Sequence, residues 1–106
     1  MEHINVNSLK EWLDSEKSVF LLDVRESWEF EHCKIPGSVN IPLSEIHQKI
    51  TDIDDKQSVV LICHHGARSL NAGMFLKNAG VQCQFYNLEG GIDAWSEQID
   101  NTVPRY

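Results

Sequence analysis

The chain has 106 residues, of which 42% are hydrophobic and 24% are charged, and its formal net charge is −7. This length and composition predict a single globular domain over residues 1–106 that buries a core without disulfides. The negative charge argues against nucleic acid and anionic membranes as partners, and an anion-binding site would have to be local because the overall field repels anions.

No segment predicts export or membrane insertion. Residues 1–6 contain neither a basic nor a long apolar stretch, and nothing later approaches membrane-spanning length. We therefore expect a cytoplasmic protein, and we expect it to be a monomer or a weak dimer. The three cysteines, Cys33, Cys63 and Cys83, are odd in number and lack metal-type spacing, so we expect no disulfide framework, no metal and no cofactor.

The first third of the chain predicts short strands that alternate with short helices. Residues 4–6 suit a strand, and Asn7 or Ser8 suits the N-cap of the amphipathic helix that follows. The apolar run 18–22 is typical of a buried strand in a parallel sheet. A short helix with Ser27 as its cap comes next.

The same alternation continues through the middle of the chain. Residues 38–41 suit a short strand, and Ser44 suits the cap of one helix behind it. A β-favouring run at 59–62 ends abruptly at Cys63. A short polar loop then leads into a helix that Ser69 opens.

The last third adds one more strand and helix. A strand over 84–88 leads through the paired glycines Gly90 and Gly91 into a final helix, and residues 101–106 have the composition of an irregular tail. This order of elements predicts an α/β fold, a small parallel sheet of about five strands with helices on both faces.

The loop that begins at Cys63 is the candidate for chemistry. Backbone N–H groups of such a loop, together with a helix N-terminus, can hold an anion and stabilise a thiolate. Thiolates in such places have pKa values of roughly 3.5–7.5, against about 8.5 for a free cysteine. A cysteine at a strand end is more often a small buried hydrophobic residue. The sequence His64-His65-Gly66-Ala67-Arg68-Ser69 behind it favours a nucleophile.

Two further charged residues follow the predicted strand at 18–22. Asp23 and Arg25 lie at a carboxyl strand end, as Cys63 does, and functional groups gather at such ends in α/β sheets. Asp23 also suits a cap or turn. Arg25 suits equally a surface ion pair with Glu26 or Glu29.

Four motifs in chain order resemble the rhodanese homology domain, specifically the single-domain sulfurtransferases. They are Leu21-Leu22-Asp23-Val24-Arg25, Ile35-Pro36-Gly37-Ser38-Val39-Asn40-Ile41-Pro42, the loop from Cys63 to Ser69, and the segment from Leu88 to Trp95. The resemblance covers nearly the whole chain. One departure is Cys33-Lys34-Ile35, where many relatives have G-H-I, and it bears on packing or partner contacts rather than on the chemistry.

The resemblance implies a sulfurtransferase that works through a Cys63 persulfide. The thiolate takes the outer sulfur of a small anionic donor such as thiosulfate, and a thiol or a sulfur-acceptor protein then receives it. The implied substrate-binding residues are His64, His65, Gly66, Ala67, Arg68 and Ser69, supported by Asp23 and Arg25. Their backbone N–H groups would hold the anionic sulfur.

The roles of three side chains remain open at this point. We favour Arg68 facing the pocket and binding donor oxygens; the alternative is a brace to a carboxylate, with Asp23 the nearest candidate by topology. His64 and His65 suit the rim, and either would assist the thiolate if it were partly protonated near neutral pH.

Two other functions compete with sulfur transfer. Tyrosine-type phosphatases and related arsenate reductases place five residues between cysteine and arginine, whereas four lie between Cys63 and Arg68. The smaller ring suits one sulfur atom better than a tetrahedral phosphate. A non-catalytic rhodanese-like module for protein interaction or sulfur carriage is the other alternative.

Overall fold

A five-stranded parallel sheet forms the centre of the computed structural model, which describes residues 1–106. The strands lie in the order β1-β5-β4-β2-β3, so their carboxyl ends share one edge. Their bounds are β1 Glu2–Ile4, β2 Phe20–Asp23, β3 Val39–Asn40, β4 Ser58–Ile62 and β5 Gln84–Leu88. The α/β fold with about five parallel strands is therefore confirmed.

Five α-helices and one 3₁₀-helix surround the sheet. They are α1 Val6–Asp14, α2 Ser27–His32, the 3₁₀-helix Leu43–Gln48, α3 Ile50–Ile53, α4 Ala67–Asn78 and α5 Gly91–Gln98. No helix has both the length and the apolar character that crossing a membrane would require.

The helix starts differ from the predicted ones. The N-cap of α1 is Asn5, whose Oδ1 accepts a hydrogen bond from the Ser8 N–H at 2.8 Å. Glu26 caps α2 through a capping box, in which the Glu29 side chain reaches back to the Glu26 N–H. Gly66 precedes α4, so Ser69 lies in the first turn of that helix rather than at its cap.

The single helix expected after Ser44 is two pieces. The 3₁₀-helix begins after Pro42, and no side chain caps it. Lys49, with φ −119° and ψ 16°, separates it from α3. Because these dihedral angles lie outside the helical region, the two pieces cannot form one continuous helix.

Alternate residues of the strands pack into two separate hydrophobic cores, one on each face of the sheet. In β4, Val60 and Ile62 face the layer that contains α1 and α5, whereas Val59 and Leu61 face the layer that contains α4. All four residues have 0% exposure. Burial on both faces explains the continuous apolar run in the sequence, and Cys63, itself buried, follows directly at the carboxyl end of β4.

The segment after α5 has no helix or strand but is packed against the domain. Val103 is buried with the α1 and α5 core, and its carbonyl accepts a hydrogen bond from Ser96 Oγ. Arg105 forms an ion pair with Asp93 at 2.9 Å. Tyr106, the last residue, contacts Arg25 and Glu29 through its hydroxyl and so lies near the carboxyl end of β2.

Candidate active site

Cys63 lies directly after β4 and is only 1% exposed. Its Sγ accepts a hydrogen bond from the Gly66 N–H at 3.0 Å and lies 3.2 Å from Ser69 Oγ. Gly66 has φ +114°, in the left-handed region that glycine tolerates, and it turns the chain directly into α4. The sulfur therefore lies at the positive end of the α4 dipole, in a place that can hold an anion.

The start of α5 fixes the backbone of the loop. The N–H of Ile92 donates to the Cys63 carbonyl at 2.9 Å, and the N–H of Asp93 donates to the His64 carbonyl at 3.1 Å. A Cβ on Gly91 would overlap the Cys63 carbonyl oxygen. Since C=O and N–H point in opposite directions in a trans peptide, the N–H groups of the next two residues point away from α5. They remain available to an anion.

Asn87 is a site residue that the sequence analysis missed. It is 4% exposed in β5, and its Oδ1 accepts a hydrogen bond from Ser69 Oγ. Its Nδ2 donates to the Gly66 carbonyl at 3.1 Å. The signal that could have found it is its position near the carboxyl end of a predicted strand, the argument that selected Cys63.

Arg68 is braced by a carboxylate, but not by the expected one. Its Nη1 and Nη2 donate to Glu29 Oε1 and Oε2 at 2.6 and 2.9 Å. Asp23, the partner predicted from topology, is paired with Arg25 instead. The Arg68 hydrogen bonds hold the pKa of Glu29 down at about 2, and the same bonds raise the pKa of Arg68. Nothing in the sequence pattern indicated Glu29 as the partner of Arg68.

Asp23 and Arg25 form an ion pair in which both side chains have 0% exposure. Burial opposes the charge on Arg25, but hydrogen bonds to Asp23, Tyr106 and Cys33 raise its pKa overall. Its Nη2 also donates to the Cys33 carbonyl at 2.6 Å. The surface ion pair with Glu26 or Glu29 was thus wrong, because Arg25 points into the fold and joins β2 to the end of α2.

Three aromatic rings lie stacked beside the loop. The His64 ring lies between those of His65 and Tyr106, with centroids 4.0 Å apart on each side. Burial and the neighbouring His65 lower the pKa of His64. A lowered pKa disfavours the protonated imidazole, so the expectation that His64 is partly protonated near neutral pH is not supported. The His65 side chain is 68% exposed on the outside of the stack.

One group of side chains near the loop has the composition of a metal site. Ligand atoms of His64, His65 and Asp93 lie within 4.8 Å of one another. The two imidazole rings are nearly parallel, however, so their lone pairs do not converge on one point. Arg105 also occupies both Asp93 oxygens, at 2.9 and 3.1 Å. The rings would have to turn, and this ion pair would have to open, before one cation could be held.

The predicted residues fall into two groups around Cys63. Gly66 and Ser69 contact the sulfur, and Ala67 begins α4. The remaining ones lie in ion pairs or at the rim: Asp23, Arg25, Arg68, His64 and His65. Fold and site together define an α/β protein with a single cysteine in a backbone loop suited to anions.

The chain belongs to the rhodanese-like domain family, whose pattern matches residues 5–98. It is 34% identical to "Putative sulfurtransferase YtwF" of Bacillus subtilis, over 90% of each chain. It is also 34% identical to "Putative sulfur carrier protein YrkF" of the same organism, over 92% of this chain and 52% of that protein. The chain thus spans about half the length of YrkF.

Solved structures agree with this assignment. The rhodanese-related protein from Thermoplasma volcanium superposes with a TM-score of 0.78 at 37% identity. The superposition covers 93% of this chain and 94% of that one. The family fold therefore accounts for nearly all of the chain.

Proposed function

We propose that this protein is a sulfurtransferase in which Cys63 carries sulfur as a persulfide. The observation that carries the proposal is the Cys63 sulfur in the loop before α4, 3.0 Å from the Gly66 N–H. Relatives named for sulfur transfer or sulfur carriage support it. We further propose that residues 1–106 act as one domain.

The first half-reaction loads the sulfur. The Cys63 thiolate attacks the outer sulfur of a donor such as thiosulfate, and a new S–S bond forms at Sγ. The bond between the two donor sulfurs breaks, and its electron pair leaves with sulfite. The backbone N–H groups from His64 to Ser69 hold the anionic terminal sulfur, in a place from which water is largely excluded.

The second half-reaction returns Cys63 to its starting state. The thiolate of a small thiol or of an acceptor protein attacks the terminal sulfur, and the Cys63 thiolate leaves. Because the enzyme carries the sulfur between two separate encounters, the steady-state kinetics should be of the ping-pong type. Cys63 must remain a free thiol between cycles, and a reducing compartment such as the cytoplasm maintains it.

Arg68 has a secondary role in this proposal. One edge of its guanidinium is held by Glu29, and its side chain is 36% exposed. The remaining N–H groups are therefore free to contact donor oxygens without leaving the brace. The pocket and bracing roles then belong to the same side chain in one position.

The test is the intact mass of the protein after incubation with thiosulfate, repeated with glutathione persulfide. The wild type should gain one sulfur atom that dithiothreitol removes. Cys63→Ser should gain none, whereas Cys83→Ser, the matched control at a half-buried cysteine, should behave as the wild type. The proposal fails if neither donor loads the wild type. Cys63-dependent hydrolysis of an aryl phosphate would support a phosphatase instead.

A further inference from the structure

The side-chain amide of Asn87 connects two parts of the cysteine loop. Its Nδ2 lies 3.1 Å from the Gly66 carbonyl and 3.4 Å from His3 Nδ1, and its Oδ1 faces Ser69 Oγ. Asn87 and Ser69 are buried, with 4% and 0% exposure. These groups therefore depend on each other for hydrogen bonds, because water does not reach them.

Counting protons fixes the direction of these hydrogen bonds. The Gly66 carbonyl can only accept, so the amide nitrogen of Asn87 must face it and the amide oxygen must face Ser69. That oxygen can also only accept. Ser69 has a single hydroxyl proton, and two oxygen acceptors lie within reach of it, Asn87 Oδ1 and the Gly66 carbonyl at 3.2 Å. The Gly66 carbonyl already accepts from Asn87 Nδ2, whereas Ser69 is the donor that faces Asn87 Oδ1, so we assign the proton to Asn87.

The hydroxyl of Ser69 therefore presents a lone pair to Cys63. Ser69 Oγ lies 3.2 Å from Cys63 Sγ, a distance at which a neutral thiol can donate its proton to the oxygen. A thiolate in the same place would face that lone pair. It could gain the Ser69 proton only if the hydroxyl turned away from Asn87, whose buried oxygen would then lose its donor.

We propose that Asn87 is a positioning residue that orients the Ser69 hydroxyl and thereby favours the neutral Cys63 thiol over the thiolate. The thiolate and the persulfide draw the same proton toward sulfur, so Asn87 and the anionic sulfur compete for Ser69. The catalytic meaning of this competition rests on the proposed function of Cys63. The protonation effect itself does not.

Other charged and titratable groups surround Cys63, and all of them except His3, whose Nδ1 lies 3.4 Å from the Asn87 amide, keep their contacts in the variants below. Arg68 of α4 is held by Glu29 of α2, and the Asp23–Arg25 pair lies at the carboxyl end of the neighbouring strand β2. The remaining groups are His64 in the loop, Asp93 of α5, Tyr106 in the tail and His3 of β1. The effects of these groups on the protonation of Cys63 should largely cancel when variants are compared with the wild type.

The experiment is the pH profile of Cys63 alkylation by iodoacetamide, read by peptide mass mapping. Asn87→Ala frees the Ser69 proton for the thiolate, so the midpoint of the profile should fall by about half to one pH unit. The shift should stay modest because, once Asn87 Oδ1 is removed, the Gly66 carbonyl at 3.2 Å from Ser69 Oγ competes with the thiolate for this proton. Asn87→Asp keeps the shape and strengthens the acceptor for Ser69, so the midpoint should rise. It also replaces the donor to the Gly66 carbonyl with an oxygen, an effect that the Ser69→Ala background separates from the effect through Ser69.

Ser69→Ala is the decisive background for both variants. In this background, Asn87→Ala should no longer lower the midpoint of the alkylation profile. Asn87→Asp should raise the midpoint only by the direct electrostatic effect of its new charge on Cys63. Shifts of the same sign in the two variants would overturn the proposal, as would shifts that are unchanged in the Ser69→Ala background.

Two features keep this test independent of other failures. If Asn87→Ala does not fold, the nearly isosteric Asn87→Asp decides alone, and the absence of a Ser69-dependent rise overturns the proposal. Alkylation requires no sulfur donor. The test of the Ser69 orientation therefore gives its answer whether or not Cys63 accepts sulfur from thiosulfate.

Discussion

Arg68 and Glu29 are joined by two hydrogen bonds of 2.6 and 2.9 Å, which fix the first turn of α4 to α2. Tyr106 adds a third bond by donating from its hydroxyl to Glu29 Oε2 at 2.7 Å. The carboxylate is 5% exposed, so these bonds are well shielded from water. A two-bonded arginine–carboxylate pair of this kind sets both distance and orientation. The helix that carries the loop is thereby held in place from outside the loop.

This pair predicts an acid-dependent loss of stability. Because the folded-state pKa of Glu29 is about 2, below its usual value near 4.5, the carboxylate stabilises the fold above about pH 4.5. That contribution, about 3 kcal/mol, should be lost as the pH falls from about 4.5 toward 2. Urea unfolding at several pH values should show a steep fall for the wild type and a flatter one for Glu29→Gln. Equal slopes would contradict the assignment.

The buried ion pair predicts a larger effect at Arg25. Arg25→Met removes the guanidinium and leaves the Asp23 carboxylate buried without its cation. Removing one partner of such a pair costs about 3–5 kcal/mol. Arg105→Met, at an exposed ion pair with Asp93, should cost less than about 1 kcal/mol. The free energy of unfolding in urea measures both, and similar losses would mean that burial of Arg25 has little energetic consequence.

Gly91 predicts a selective effect on the loop. Gly91→Ala would place a Cβ against the Cys63 carbonyl oxygen, so the loop must shift or α5 must retreat. Gly80→Ala is the matched control, because Gly80 also has a positive φ but has nothing within 4 Å of a Cβ. Both changes should cost about 1–2 kcal/mol of backbone strain. Only Gly91→Ala should also slow persulfide formation, by tenfold or more, in a timed intact-mass assay.

Tyr106 predicts a change in the titration of His64. Burial is the main cause of the lowered pKa of His64, and the Tyr106 ring covers one face of the imidazole. Tyr106→Ala exposes that face, so the pKa of His64 should rise toward its usual value near 6.5. Tyr106→Phe keeps the ring and should leave the pKa close to that of the wild type. An NMR pH titration of the imidazole signals separates the two, and equal effects would exclude the stacked ring as the cause.

The sequence was informative where the structural cause is local. Periodicity and strand-end reasoning predicted the parallel sheet, the alternation of strands and helices and the loop after β4, because these follow from local runs of residues. The helix expected after Ser44 is the exception, since it is two pieces. Helix starts were less certain, since Asn5, Asn7 and Ser8 all have capping side chains. Only Asn5 forms the capping bond.

The partners of long side chains could not be read from the sequence. Arg68 and Glu29 are separated by 39 positions, and Tyr106 and Glu29 by 77. Such contacts depend on how the helices and residues 101–106 pack against the sheet in three dimensions. Topology suggested Asp23 as the brace for Arg68, but Asp23 accepts a bond from the backbone N–H of Arg25, only two residues away. That local contact helps to hold Asp23 on Arg25 rather than on the distant cation.

The guanidinium groups of Arg68 and Arg25 are each neutralised by a carboxylate, and this limits the reach of the site's attraction. What remains to draw an anion inward is a set of peptide dipoles and the free N–H groups of the paired Arg68, whose attraction acts over a few ångströms, within a chain of net charge −7. A dianionic donor should therefore meet repulsion at long range and attraction only on contact. Added salt screens the long-range repulsion more than the attraction at contact, so it should speed the capture of such a donor rather than slow it.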